Sequence, residues 1–424
     1  VVKTNLQIDS DVAHSVDRSV FFARDIPSSE RYKVTTPPLL QLVFGDCIDV
    51  SGTVSIPEVN KKDYKDETST LYRFPYREYL AKDDVYKLIR VKNTTYSREC
   101  IPLAHYQKIE LFFMKQKERL TNILLREYEQ PYAGLVAGVL VAGKGLMDKK
   151  TLDMFKRTSL SHVVVLSGTN VSIVILCVTK IIEILFFWKK ENSFYIECLQ
   201  KGMVLICIWM FVLLTGGGAP IYRAAASAFV GMILFKDKTS QVYALTITVF
   251  VLTIINPFQT LYDPSFHLTC CATYGLILFS KPIQVWMHLY MSKVLPRWLQ
   301  EIVAVTLATQ VFVFPYLVYM TGSFSSMFLV SNMLVLPMIP MIMFLGFLTL
   351  VGSATGFELL LDASVWVNNL LLKFVFRIVK TLSQVPYGYI QMKTSTSIFV
   401  LVSYSILLTI IIYYTSRRRP PSLC

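Results

Sequence analysis

From residue 163 onward the chain is a succession of apolar segments, each near the length that crosses a bilayer. The stretches are 163–188, 199–216, 221–235, 241–256, 266–280, 299–320, 324–351 and 395–414. A helix needs about 20 apolar residues to span the hydrocarbon core, and only helices or closed barrels satisfy every backbone group there. Charged residues make up 17% of the chain and hydrophobic ones 53%, where soluble proteins run near 25% charged. These features exclude a disordered chain, a soluble nucleic-acid module and an ordinary cytosolic enzyme. They predict a polytopic α-helical membrane protein. Residues 221–235 and 266–280 fall short of a full span. Residues 131–143 are small and Gly-rich and read as a further short span, and 357–382 is amphipathic and ambiguous. Short or Gly- and Pro-broken segments are what channels and transporters place around a polar path.

The chain before this sector is different. Residues 1–105 show short alternating runs, Leu39–Phe44 and Ile48–Ile56 among them, broken by Gly45, Asp46, Gly52 and Pro57. Such spacing predicts a small soluble β-barrel, with the OB-fold a natural candidate. Over 106–130 the period changes. Ile109, Phe112, Phe113, Leu120, Ile123, Leu124 and Tyr128 fall on one helical face, with Lys115, Lys117, Arg119 and Arg126 mostly elsewhere. This predicts an amphipathic helix lying in the membrane interface. The expected organisation is therefore a barrel over 1–105, an interfacial helix over 106–130 and a transmembrane domain over 131–424.

Charge follows the same division. The first 110 residues hold 16 Lys and Arg against 16 Asp and Glu, so the whole net charge of +13 lies in the apolar part. A basic membrane sector implies cytoplasmic anchoring, an anionic substrate, or both. Lys189, Lys190 and Lys201, then Lys236 and Lys238, then Lys281, Lys293 and Arg297 fall in alternate connections, as one consistent topology requires. Arg417, Arg418 and Arg419 break that parity unless 357–382 spans or 324–351 doubles back at Pro337 and Pro340.

The eight Cys and five His show neither a CxxC pair nor zinc spacing, so no metal or cofactor is expected. Cys47 and Cys100, both in the soluble region, form a disulfide if that region faces an oxidising compartment. No signal peptide is visible at Val1, which points to a removed upstream segment or a fragment.

Polar residues inside the apolar sector carry the functional signal. In SHVVVLSGTN (161–170), Ser167, Gly168 and Asn170 either break a helix and line a cavity or supply an ordinary N-cap, with His162 at the interface. In TGGGAPIYRAAA (215–226), Gly216, Gly217, Gly218 and Pro220 end one helix and start another, and Arg223 lies near the new start. An intramembrane Arg marks a function by default, here an anionic visitor; the alternative is a tight loop whose Arg223 snorkels to lipid phosphates. Asp263 either caps the next helix or pairs with Arg223, and His267 reads as a packed or hydrogen-bonded histidine. Pro315, Gly322, Asn332, Pro337 and Pro340 demand a kink or re-entrant loop. In the soluble part Lys61, Lys62, Lys65, Tyr72, Arg73, Tyr76 and Arg77 interleave cations with aromatics. That composition suits single-stranded DNA, or else an exposed loop with core aromatics.

At these residues the chain resembles the ComEC-type DNA uptake channels of natural transformation. Their His…Ser-Gly-x-His signature is similar to His162…Ser167-Gly168-Thr169-Asn170, with Asn170 where the family has His. The Gly-rich turn before an Arg-Ala helix is matched by Gly216–Pro220 and Arg223-Ala224. Pro264-Ser265-Phe266-His267-Leu268-Thr269…Ala272 and Pro315…Gly322-Ser323-Phe324-Ser325…Asn332…Pro337 resemble two further motifs. Gly45-Asp46…Ser51-Gly52-Thr53…Pro57 and Phe74–Leu80 resemble the family's OB-like domain. The resemblance implies a channel passing single-stranded DNA inward through the bacterial cytoplasmic membrane, with the OB-like domain outside. It also implies a DNA receptor, a nuclease and a cytoplasmic ATPase as partners. Members often carry additional N-terminal helices and a metallo-β-lactamase-like domain. The sequence has no His-x-His-x-Asp-His nuclease motif and no P-loop, so no enzymatic activity is expected of it. The competing expectation is a permease for a small anionic solute. An enzyme using Ser167 and His162 is weaker, because five residues apart on a helix they do not face each other.

Overall fold

The computed structural model describes residues 2–10, 12–15, 18–37, 42, 44–57, 75–97, 105–142, 145–164, 170, 173–174, 176, 178–180, 194–216, 219–234, 241–392 and 404. Strands β1 (Val2–Ile8), β2 (Ala13–Ser15), β3 (Arg18–Asp25), β4 (Arg31–Thr36), β5 (Cys47–Ser55) and β6 (Val85–Tyr96) form one sheet in the order β1-β5-β6-β4-β3-β2. An additional β1–β3 pairing, with Leu6 opposite Asp25, closes five of them into a barrel and leaves β2 appended to β3. β4 and β6 run parallel; the other pairs are antiparallel. Alternation sets the inside: Tyr32, Val34 and Thr36 of β4 are buried while Arg31, Lys33 and Thr35 face outward. Leu6, Ile8, Phe21, Val34, Ile48, Val50 and Ile89 fill the barrel core. The expected strand at Ile48–Ile56 is β5. The one expected at Leu39–Phe44 lies partly outside the described residues, and Phe44 sits in a turn. Between β5 and β6 stands a short helix, α1 (Tyr76–Ala81).

The remaining described elements are mostly helical: α2 (His105–Glu127), α3 (Tyr132–Val141), α4 (Lys149–Arg157), α5 (Ser161–Val164), α6 (Phe194–Thr215), α7 (Ala219–Leu234), α8 (Gln241–Ile255), α9 (Pro257–Tyr262), α10 (Pro264–Met291), α11 (Arg297–Thr321), α12 (Phe328–Val335), α13 (Met338–Thr355) and α14 (Glu358–Ser383). Strands β7 (Ser323–Ser325) and β8 (Tyr389–Gln391) pair antiparallel. Among the described residues three helical stretches are long and apolar enough to cross a membrane: Arg297–Thr321, Phe328–Thr355 and Glu358–Ser383. Shorter apolar helices cover Tyr132–Val141, Leu199–Thr215, Ile221–Val230 and Val242–Ile255. Their outer surfaces carry Trp209, Phe250, Ile254 and Trp366 well exposed, as a lipid-facing wall would.

One expectation needs correction, and two points left open by the sequence are decided. Residues 266–280 are not a short segment: α10 runs 28 residues, straight through Pro282. Residues 324–351 do not double back at Pro337. Leu336 and Pro337 keep right-handed helical dihedrals, so Phe328–Thr355 continues across the proline. The ambiguous stretch 357–382 is α14, capped at Phe357 and long and apolar enough to cross a membrane. The two prolines of the apolar run therefore remove hydrogen bonds without reversing the chain.

α2 is partly embedded. Leu124 and Tyr128 join the core built by α3, α5, α12, α13 and α14, while Ile109 and Phe112 remain exposed. Lys117, expected off the apolar face, is also buried, and its ammonium donates to the Thr215 carbonyl at 3.2 Å. The C-terminal end of α6 offers unpaired carbonyls and the negative end of its dipole, which attract a cation. Gly216 follows with φ +74, the left-handed conformation that ends a helix without strain. At Gly275 of α10 a side chain would collide with the Ala308 carbonyl of α11, so the two helices meet backbone to backbone.

Candidate anion site at the barrel–helix junction

Arg223 lies on α7, just past the glycine turn, and is 4% exposed. It does not snorkel. Its Nη2 donates to Thr269 Oγ1 at 2.7 Å, and its guanidinium carbon stands 5.1 Å from the centre of the Phe266 ring. Thr269 Oγ1 in turn donates to the Ser265 carbonyl at 2.9 Å. Phe266, Thr269 and Cys270 are three and four residues apart on α10, so they share one face, and that face meets Arg223. Nε and Nη1 of Arg223 have no hydrogen-bond partner among the described residues. A buried guanidinium with open N–H donors on two of its edges attracts an anion such as a phosphate or carboxylate.

Asp263 starts the same helix. One carboxylate oxygen accepts the Ser265 amide at 2.9 Å, capping α10. The other takes the Lys82 ammonium at 3.1 Å. Of the two roles expected of Asp263, the cap is present, but its ion-pair partner is Lys82 rather than Arg223. Arg223 still feels the Asp263 charge. Lys82 comes from the barrel, at the C-cap of α1, with its ammonium 4.1 Å from the centre of the Tyr79 ring. Burial works against the charge of Lys82, but Tyr79 and Asp263 outweigh it and hold its pKa above the usual lysine value. Asn256 completes the junction. Its Oδ1 accepts the Gln259 amide at 3.1 Å to cap α9, and its Nδ2 donates to the Lys82 carbonyl at 2.7 Å. His267 is the hydrogen-bonded histidine expected: Nε2 donates to the Thr260 carbonyl at 2.8 Å, and Nδ1 meets the Tyr316 hydroxyl at 2.8 Å.

The other expected path residues are not gathered here. His162 is exposed, with Nδ1 3.1 Å from the Ser159 carbonyl. Asn170 is buried and donates to the Val139 carbonyl at 3.3 Å. Asn332 is buried on α12, its Oδ1 without a partner among the described residues. Next to it Ser331 donates to the Thr158 carbonyl at 2.6 Å, and Ser325 of β7 to the Arg157 carbonyl at 2.6 Å. Ser167, Gly168, Gly217 and Gly218 lie outside the described residues.

On the barrel, Lys61, Lys62, Lys65, Tyr72 and Arg73 also lie outside the described residues. Arg77 is exposed. Tyr76 is engaged by Lys33, which donates to its hydroxyl at 3.0 Å. The described cation–aromatic pairs extend onto the outer face of β3 and β4, where Arg31 stands over Phe22 at 5.2 Å. Cys47 is disulfide-bonded; Cys100 lies outside the described residues.

The sequence reading missed Lys82, Thr269 and Phe266 as site residues. The last two were legible from their helical spacing to the Asp263 cap. Lys82 was not, since it is 181 residues from its partner.

Fold and site define a class: a helical membrane protein with a small barrel docked on it and a buried, open arginine beneath the junction. The chain belongs to the competence protein family, whose model matches residues 139–418. ComE operon protein 3 of Bacillus subtilis is 23% identical over 327 residues, which cover 76% of this chain and 37% of that protein. Recombination protein 2 of Haemophilus influenzae is 21% identical over 243 residues, covering 54% of this chain and 30% of that protein. The aligned region thus spans about a third of each curated relative's length. No solved structure matches.

Proposed function

We propose that the chain forms the membrane passage through which single-stranded DNA crosses the bacterial cytoplasmic membrane in natural transformation. The observation that carries this is Arg223: a cation buried at the start of an apolar helix, turned inward, with two donors open to a phosphate. Membership of the competence family supports the same reading. In it the helices form a polytopic bundle, and the closed five-strand barrel, with β4 and β6 parallel, is an OB-like domain on the outer side. Its Lys33–Tyr76 and Arg31–Phe22 pairs offer stacking faces beside cations. Phosphates would pass Arg223 by weak, repeated contacts that permit both entry and release. A DNA receptor, a nuclease and a cytoplasmic ATPase would act with the chain. A small-anion permease would use the same guanidinium, but its family assignment is not what the chain matches.

The test is Arg223→Gln in the native host. Transformation frequency and entry of labelled DNA should fall roughly tenfold or more, the loss expected when a charge-assisted contact is removed. The protein should remain in the membrane at normal abundance. Undiminished DNA entry would reject the assignment.

A further inference from the structure

Both oxygens of Asp263 are in use, one on the Ser265 amide and one on the Lys82 ammonium. Arg223 lies in the field of the same carboxylate, yet its Nε and Nη1 have no partner among the described residues. A buried guanidinium beside a free carboxylate ordinarily closes onto it as a two-pronged pair. Here the carboxylate is already held by a cation from another part of the molecule. Lys82 and Asp263 have side chains only 12% and 3% exposed, so water does not screen this competition away.

We propose that Lys82 is a positioning residue for the anion site: by holding Asp263 it keeps Arg223 open for a phosphodiester group. This rests on the reading that Arg223 meets DNA phosphates. With Lys82 in place the three charges sum to one uncompensated positive charge, located at Arg223. Without it Asp263 and Arg223 neutralise each other and the phosphate loses its counter-charge. Lys82 stands at the end of α1, a helix of the barrel, and Asn256 fixes its carbonyl. The anion site is therefore charged only while the barrel is docked, and a barrel that lifts away closes it. Asn256 and the α10 cap are the contacts through which the two conditions are linked.

Cys270 gives a local readout, since it is a free thiol that interacts electrostatically with Arg223. The full chain, reconstituted in lipid nanodiscs, is alkylated with a maleimide in the presence of increasing oligo-dT. Labelling of Cys270 is read by peptide mass spectrometry. DNA at Arg223 should slow it, giving a half-protecting concentration and a maximal protection. Lys82→Gln and Arg223→Gln should each raise the half-protecting concentration roughly tenfold, with maximal protection unchanged for Lys82→Gln. Lys82→Arg should keep the parent value. The double variant K82Q/D263N should recover it, because Asn still caps α10 but cannot neutralise Arg223. A raised value in R223Q with an unchanged one in K82Q overturns the role of Lys82 and leaves the Arg223 reading standing. So does a failure of the double variant to recover. A K82Q protein whose maximal protection falls without a shift in half-protection reveals a purely structural contact, which also overturns the proposal. No protection in the parent, or an unchanged R223Q, overturns the Arg223 reading itself.

Discussion

Asn368 shows what a single polar residue does inside this bundle. It is fully buried on α14, and its Nδ2 donates to the Tyr128 hydroxyl at 2.9 Å and, more distantly, to the Ile342 carbonyl at 3.4 Å. The Tyr128 hydroxyl also meets Thr349 Oγ1 at 2.7 Å, and Thr349 meets Ser364 Oγ at 3.0 Å. One phenol thus joins α13 and α14 to the residue that follows α2. Burial of that phenol raises its cost if unpaired, because neither lipid nor apolar neighbours replace a lost partner. Tyr128→Phe removes one atom and strips a partner from both Thr349 and Asn368. It should lower stability by about 1–2 kcal/mol, near the upper end for hydrogen bonds measured inside membrane proteins. Thermal unfolding in detergent micelles checks this. The double variant Y128F/N368L, which removes the stranded amide as well, should recover part of the loss. An undiminished melting temperature in Y128F would show that the cluster contributes no stability.

Elements here pack through small residues. α10 and α11 meet backbone to backbone where Gly275 sits against the Ala308 carbonyl. Gly275→Ala should destabilise by about 1–3 kcal/mol, because a backbone cannot yield as a flexible side chain can. Gly202 of α6 has open space around it, so Gly202→Ala should be neutral or raise stability by about 0.4–1 kcal/mol through helix propensity and a less flexible unfolded chain. Paired melting curves separate the two; equal effects would mean that the α10–α11 contact is not as close as it looks. Elements were also what the sequence told best. Hydropathy located α11 and the run of α12 and α13 because apolarity is a property of the segment itself, whereas the amphipathic 357–382 stayed ambiguous. Alternation located β5 for the same local reason. The errors arose where a neighbour decides. Pro282 did not end α10, and Pro337 did not reverse the chain. A proline costs one hydrogen bond, and packed neighbours and adjacent turns can make that tolerable. Lys117 reads as a polar-face cation on its own helix. The carbonyl that buries it belongs to α6, 98 residues away. The same holds for the site: Arg223 and Asp263 are conspicuous as charges among apolar residues, whereas the cation that pairs with Asp263 has no local signature.

At the scale of the whole molecule, a buried ion pair and two capping groups join barrel and helices at α1. Lys82, Asn256 and Asp263 between them terminate α1 and start α9 and α10. The joint therefore depends on charge, and charge makes it titratable. The amine of Lys82 has a pKa above its usual value in the fold, with Tyr79 and Asp263 overcoming burial. A raised pKa means that the folded state holds the proton more tightly than the unfolded one. The stabilisation is then fully present below the ordinary lysine pKa and is lost as pH climbs through the raised value. Alkaline titration should accordingly loosen the barrel before the helical core melts, because the core network of Tyr128, Thr349, Ser364 and Asn368 includes neither Lys82 nor Asp263. Hydrogen exchange of the α1 and α9 amides, followed over rising pH, should show a step that Lys82→Met abolishes by removing the titrating amine, its exchange starting high and staying flat. Protection that declines identically in the parent and the variant would place the docking energy elsewhere than in this ion pair.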